Sequence, residues 1–256
     1  MEKDHKNCDS KPCIFKASAC KIISATTNFI DKIIEKVDRD DPANNTKQRI
    51  ISSIFLLPFA VYAIFFSVKL FLSFVIAMAI LMTIEWIDMA KNSADEKRWR
   101  VIGFFYILIP LYAVYQLRLI SVDIVFWMFS IIWVTDIFAF FSGRILGGKK
   151  LAPTISPNKT WSGLAGAVIA TAVIGLISAS MFPGSVLFFV IASVSLSIIE
   201  QISDLVESKF KRIFGVKDSG NIIPGHGGVL DRLDGMMFTA PAVLLLITVF
   251  ADRFGL

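Results

Sequence analysis

Seven apolar runs, each close to the thickness of a lipid bilayer when helical, constrain this chain more than any other feature. They cover roughly residues 50–68, 70–90, 101–117, 122–142, 162–180, 185–203 and 236–250. A helix rises about 1.5 Å per residue, so about 17–25 apolar residues cross the hydrocarbon. The last run is the shortest, and the connection before it has room for a short re-entrant piece. A length of 256 residues would otherwise suggest one or two soluble domains. Hydrophobic residues are 55% of the chain and charged ones 18%, where a soluble domain carries about 25% charge. The mean hydropathy is +0.67, and 23 Phe exceed what one globular core would bury. Lipid is therefore part of the solvent. The expected fold is all-α: a polytopic integral membrane protein with about seven transmembrane helices and long cytoplasmic loops.

The basic residues orient it. With the N-terminus inside, segments 1–49, 91–100, 143–161 and 204–235 hold ten, four, four and five Lys plus Arg, while Lys69, Arg118 and Arg253 alone fall outside. The inverse arrangement breaks the positive-inside rule. A net charge of +5 would suggest nucleic acid in a soluble chain. Here the charge lies between apolar runs, so it serves orientation or an anionic substrate, and no nucleic acid is expected.

Residues 1–49 form a polar cytoplasmic segment ahead of a membrane-embedded domain, 50–256. Nothing apolar and uninterrupted lies near the start, so no signal peptide is expected. Ile22, Ile23, Phe29, Ile30, Ile33, Ile34 and Val37 recur at helical spacing, which suits an interfacial amphipathic helix or one packed on the loops. Cys8, Cys13 and Cys20 match no zinc pattern and read as reduced thiols. Glu85, Asp88, Asp136 and Glu200 lie in or beside the apolar runs. A charge at a helix centre costs about 2.5–3.5 kcal/mol, so each faces a partner, a wet cavity or the nearby cytoplasmic surface.

Two cytoplasmic loops carry chemistry. The first, from Asp136 to Trp161, holds Gly143, Gly147, Gly148, Lys149 and Lys150, then Ser156-Pro157-Asn158-Lys159-Thr160. Glycines admit close approach of the backbone, and Lys, Ser and Thr suit phosphate oxygens. Gly143 to Lys149 reads G-x-x-x-x-G-K, but Lys150 follows where a P-loop needs Ser or Thr, and a membrane helix precedes it instead of a strand. The second loop opens with Asp204 and runs through Lys211, Arg212, Lys217, Pro224-Gly225-His226-Gly227-Gly228, Asp231, Arg232 and Asp234. Asp231 and Asp234 are three apart, so a helical turn puts both carboxylates on one face. With Asp204 they look like a divalent metal site beside polyphosphate, and hard oxygen ligands suit Mg²⁺. The plain alternative is a glycine-rich corner whose acids and bases pair in solvent.

At these residues the sequence resembles the phosphatidate cytidylyltransferase, or CDP-diglyceride synthase, family. That family's signature S-x-x-K-R-x4-K-D-x-G-x-x-x-P-G-H-G-G-x-x-D-R-x-D is met at Ser208, Lys211, Arg212, Lys217, Asp218, Gly220, Pro224, Gly225, His226, Gly227, Gly228, Asp231, Arg232 and Asp234. Asp136, Gly143, Ser156, Pro157, Lys159 and Thr160 look like the family's earlier loop. The likeness covers about residues 50–250. One departure is Ser203 before Asp204, where the family commonly has Gly; a small backbone adjustment is expected there.

The resemblance implies condensation of CTP with phosphatidic acid, giving CDP-diacylglycerol and pyrophosphate, in a bacterial plasma membrane. It implies that Asp204 and Asp231 hold Mg²⁺, with Asp234 as third ligand or supporting acceptor and room for a second cation. Lys211, Arg212, Lys217 and Arg232 would neutralise the triphosphate and the lipid phosphate. Ser156, Asn158, Lys159 and Thr160 would contact substrate from the other loop, with Gly227 and Gly228 cradling it. His226 would bind leaving pyrophosphate or hold its turn, and Asp136 would face the same cavity. Acyl chains would enter between helices. The alternatives are a CTP-dependent polyprenol kinase and a transporter with a phosphate-binding gate. The sequence leaves open whether two copies pair as a homodimer.

Overall fold

The computed structural model describes residues 62, 64–91, 93, 95–220 and 227–256. The N-terminal segment with its candidate helix and cysteines, the first two-thirds of the first apolar run, and His226 lie outside the described residues.

The elements in chain order are α1 (Val68–Ala90), α2 (Glu96–Ile120), α3 (Val122–Leu146), β1 (Lys150–Ala152), β2 (Ser156–Thr160), α4 (Trp161–Ser178), α5 (Val186–Ile213), α6 (Leu230–Leu233), α7 (Met236–Val249) and α8 (Ala251–Phe254). Among the described residues six helical stretches are long and apolar enough to cross a membrane: α1 to α5, and Leu230–Val249, in which α6 runs on into α7. The chain is a polytopic, essentially all-helical membrane protein.

Side-chain oxygens set several helix starts by accepting an otherwise orphaned amide. Ser121 accepts from Asp123 N at 3.2 Å, Thr160 from Gly163 N at 3.1 Å and Ser185 from Phe188 N at 3.3 Å. Helix α3 stops where Gly147 and Gly148 take φ of 63° and 104°, a left-handed path that suits glycine and turns the chain out of the helix.

Short connections make successive helices antiparallel, so the bundle has two distinct ends. At one, Trp127, Phe182, Phe189 and Phe254 pack edge to face or stacked. Toward the other, Trp86 of α1 meets Phe210 of α5 and Phe214 just beyond its end, and gives its indole N–H to Trp99 O at 2.8 Å. Without a hydrophobic drive between helices in lipid, close packing comes from small residues. A Cβ on Gly175 of α4 would lie 2.6 Å from both Phe189 O and Val190 Cα of α5, so only glycine lets those two backbones meet. Meanwhile Ile80, Ile84, Ile169, Val173, Leu176, Leu187 and Ile191 point outward, a surface suited to lipid rather than water.

One expectation about the loops is corrected, and the other loop has more structure than its sequence announces. The loop after α3 is not irregular: β1 and β2 form an antiparallel hairpin pairing Lys150 with Thr160 and Ala152 with Ser156. Asp204 does not open a loop. Helix α5 continues through it to Ile213, with Phe210 and the following Phe214 packed against Trp86 and Trp99.

Candidate active site

Glu200, Asp204, Glu207 and Lys211 are spaced four, three and four apart on α5. That spacing puts all of them on one helical stripe. The stripe faces inward: Glu200 and Glu207 are fully buried, Asp204 and Lys211 partly so. Other elements bring partners to it. Lys159 of β2 places Nζ 2.6 Å from Asp204 Oδ2 and donates to Gln201 Oε1 at 3.1 Å. Gln201 in turn donates to Glu200 Oε2 at 3.0 Å. Asp136 of α3 brings its carboxyl against Glu200.

Asp231 of α6 is the most fully engaged acid. Its Oδ1 accepts from Lys211 Nζ at 2.7 Å. Its Oδ2 accepts from the amides of Ser219 at 2.9 Å and Gly228 at 3.0 Å. Lys211 is shared, since its Nζ also lies 3.2 Å from Glu207 Oε1. Asp234, which ends α6, accepts from Gly235 N at 2.8 Å and turns toward Glu207. The two acids three residues apart thus face a common third.

This cluster is short of donors. Glu207 has an ion contact with Lys211, but neither of its oxygens accepts a hydrogen bond, and Glu200 Oε1 and the Tyr106 hydroxyl of α2 are likewise buried without a partner. Buried oxygen-only donors left in this way fit a hard divalent cation. Among the described residues no three Asp, Glu, His or Cys side chains converge on one point. Mg²⁺ commonly takes one or two carboxylates and fills its shell with substrate oxygens and water.

The sequence-predicted residues therefore divide. Asp204, Lys159, Lys211, Asp231 and Asp234 meet in the cluster, and exposed Arg232 lies near enough to Asp136 to act on it electrostatically. Gly227 and Gly228 bring the returning loop over Asp231, with Gly227 at φ 82°. Asn158 is exposed, and strand alternation puts it on the opposite side from Lys159. Ser156 begins β2. Thr160 is buried as the cap of α4. Arg212 leans outward, its Nε donating to Ile155 O at 3.3 Å in the hairpin turn, and Lys217 is exposed.

Sequence reasoning passed over Glu207, Gln201, Tyr106, Ser219 and the role of Glu85. The stripe on α5 would have flagged Glu207 had the helix been carried past Ser203. Ser203 does more than adjust the backbone. Fully buried, it donates to Asp234 O and accepts from Phe238 N at 3.2 Å. Its hydroxyl clasps α5 to the α6–α7 corner.

Comparison with known proteins places the chain in a family. Residues 105–250 match the cytidylyltransferase family. A phosphatidate cytidylyltransferase of Rickettsia bellii is 39% identical over 229 residues, 85% of this chain and 97% of that protein. One from Rickettsia conorii is 35% identical over 223 residues, 83% of this chain and 95% of its own. One from Brucella abortus is 44% identical over 183 residues, 68% of this chain and 63% of that protein. The match spans more than half of the chain and contains α3, the hairpin, α5 and α6, the elements that bear nearly all of the cluster; the chain belongs to the cytidylyltransferase family.

Proposed function

We propose that this chain transfers the CMP moiety of CTP to phosphatidic acid, releasing pyrophosphate and leaving CDP-diacylglycerol in a bacterial plasma membrane, with the cluster on the cytoplasmic side. The observation that carries this reading is the meeting of Lys159 and Lys211 with Asp204 and Asp231 at one end of a membrane bundle of this family. A lipid phosphate and a soluble nucleotide have only such a place to meet.

An oxygen of the lipid phosphate attacks the α-phosphorus of CTP, and the bond to the β-phosphate oxygen breaks as the new P–O bond forms. A phosphate monoester has a second pKa of about 6, so the nucleophile is ionised at neutral pH and the site needs no general base. The barrier lies in gathering anions and in the charge that grows on pyrophosphate, which positioned cations offset. Lys211 is held between Glu207 and Asp231 at 3.2 and 2.7 Å, and Lys159 between Asp204 and the Gln201 amide oxygen at 2.6 and 3.1 Å, so each ammonium is fixed before substrate arrives and keeps protons to give to phosphate. Asp204 and Asp231 would hold Mg²⁺ between them and the substrate oxygens, with Asp234 as a supporting acceptor. When bound, the ion neutralises triphosphate charge and orients the leaving group. The acyl chains reach the cluster sideways from the lipid.

The test uses the full chain in detergent with phosphatidic acid, labelled CTP and Mg²⁺, beside Asp231→Asn. Label should enter a lipid with the mass of CDP-diacylglycerol and be lost in the variant. Label that never enters lipid, with folded protein, overturns the reading. A phosphorylated lipid free of cytidine would point to a kinase instead.

A further inference from the structure

Glu85 lies on membrane helix α1, buried, yet both of its oxygens are spoken for by one distant loop. Oε1 accepts from the amide of Val229 at 2.8 Å. Oε2 accepts from the amide of Leu230 at 2.8 Å and the hydroxyl of Ser219 at 3.1 Å. Asp231 draws on the same stretch, taking the amides of Ser219 and Gly228. Ser219 therefore gives its hydroxyl to one acid and its amide to the other. The space between them is closed: a Cβ on Gly228 would fall 1.9 Å from Ser219 Oγ and 2.8 Å from Glu85 Oε2. Burying an acid is costly unless donors satisfy it. Here every donor comes from residues within a few positions of Asp231 or from its own partner Ser219.

We infer that Glu85 is a positioning residue for Asp231. It fixes the backbone at 219 and 228–230, and so sets where Asp231 meets Lys211 and, on the reading proposed above, the substrate phosphates. Its action passes through the loop and involves no contact with substrate. The identity of the side chain matters in a defined way. A glutamine keeps the volume but turns an NH₂ toward amides that are themselves donors, so two donors face each other and the loop must shift.

Glu85→Gln and Ser219→Ala are compared with wild type as full chains in detergent, by labelled-CTP kinetics per folded molecule and by backbone hydrogen–deuterium exchange. Misplacing a catalytic group by a fraction of an ångström lowers kcat while binding energy elsewhere is kept, so Glu85→Gln should reduce kcat about tenfold or more with KM for CTP within about threefold. Exchange should quicken over residues 228–231 and stay unchanged in α2 and α3. Ser219→Ala, which removes one of the three donors, should reproduce both effects at about threefold in kcat. Unchanged exchange at 228–231, or kcat within about twofold of wild type for Glu85→Gln, overturns the inference. If Glu85→Gln does not fold, Ser219→Ala decides by the same two readouts. If wild type makes no cytidine-bearing lipid, the proposed reaction fails, and the exchange measurement still decides whether Glu85 holds the loop.

Discussion

Lys159 reaches from β2 to Asp204 on α5, with 2.6 Å between Nζ and Oδ2. The same ammonium holds Gln201, which holds Glu200, so one cation orders three side chains of α5 and ties the hairpin to them. Removing it leaves Asp204 facing another acid without a counter-ion. Lys159→Met is expected to lower kcat by about 10²-fold, the usual scale for losing one electrostatic stabiliser, and Lys159→Arg to restore only part, because a planar fork does not replace a point charge. Steady-state incorporation of labelled CTP into lipid measures both. Activity of Lys159→Met near wild type would make the pair purely structural.

Lys211 lies between Glu207 and Asp231, and Glu207 is fully buried. Breaking such a pair strands a charge and costs about 3–5 kcal/mol, whereas removing both partners costs far less. Lys211→Met should therefore lower the unfolding temperature in detergent more than Lys211→Met combined with Glu207→Gln. Additive losses in a thermal-shift series would show that the pair carries no coupling.

Ser203 stands where the family commonly has glycine, and its hydroxyl joins Asp234 O to Phe238 N. One buried hydrogen bond contributes about 1 kcal/mol, and leaving its partners unsatisfied adds to the loss. Ser203→Ala should lower thermal stability by a few degrees, and Ser203→Gly by more, since glycine also weakens a helix interior by about 1 kcal/mol. An unchanged melting curve for Ser203→Ala would remove the clasp from the account.

The excess of basic residues at one end sets orientation. In a chain lacking Cys8, Cys13 and Cys20, a cysteine replacing Lys150 should react with an impermeant maleimide only after spheroplasts are opened, and one replacing Arg253 should react before. Both positions are exposed. The reverse pattern would invert the topology.

The spans were legible because apolar length is a property of each run by itself. The acids of the signature loop were legible because residue type and spacing announce them. The role of Glu85 was not, since two of its three partners are backbone amides, which every residue carries and no spacing marks. The hairpin was hidden for a related reason: Ser156-Pro157-Asn158-Lys159-Thr160 lacks the apolar alternation of a half-buried strand, and its pairing with Lys150–Ala152 is held by ladder bonds at a membrane surface. Thr160 read as a phosphate contact because a hydroxyl suits both phosphate and a helix start, and only the course of α4 distinguishes them. Asp204 was placed at a helix end because hydropathy falls there, although a helix can go on after its lipid-facing character stops.

The family model and the mechanics of the site have different borders in this chain. The stretch that matches the family model begins at residue 105, while the loop bearing Asp231 hangs from an acid on the helix before that stretch. Cutting the chain at residue 105 would keep Lys159, Asp204, Lys211, Asp231, Arg232 and Asp234 and discard the peg that holds one of them in place. A graft of this loop onto another membrane scaffold would meet the same difficulty: the motif travels, but the site needs a foreign helix to offer two oxygens at the right depth.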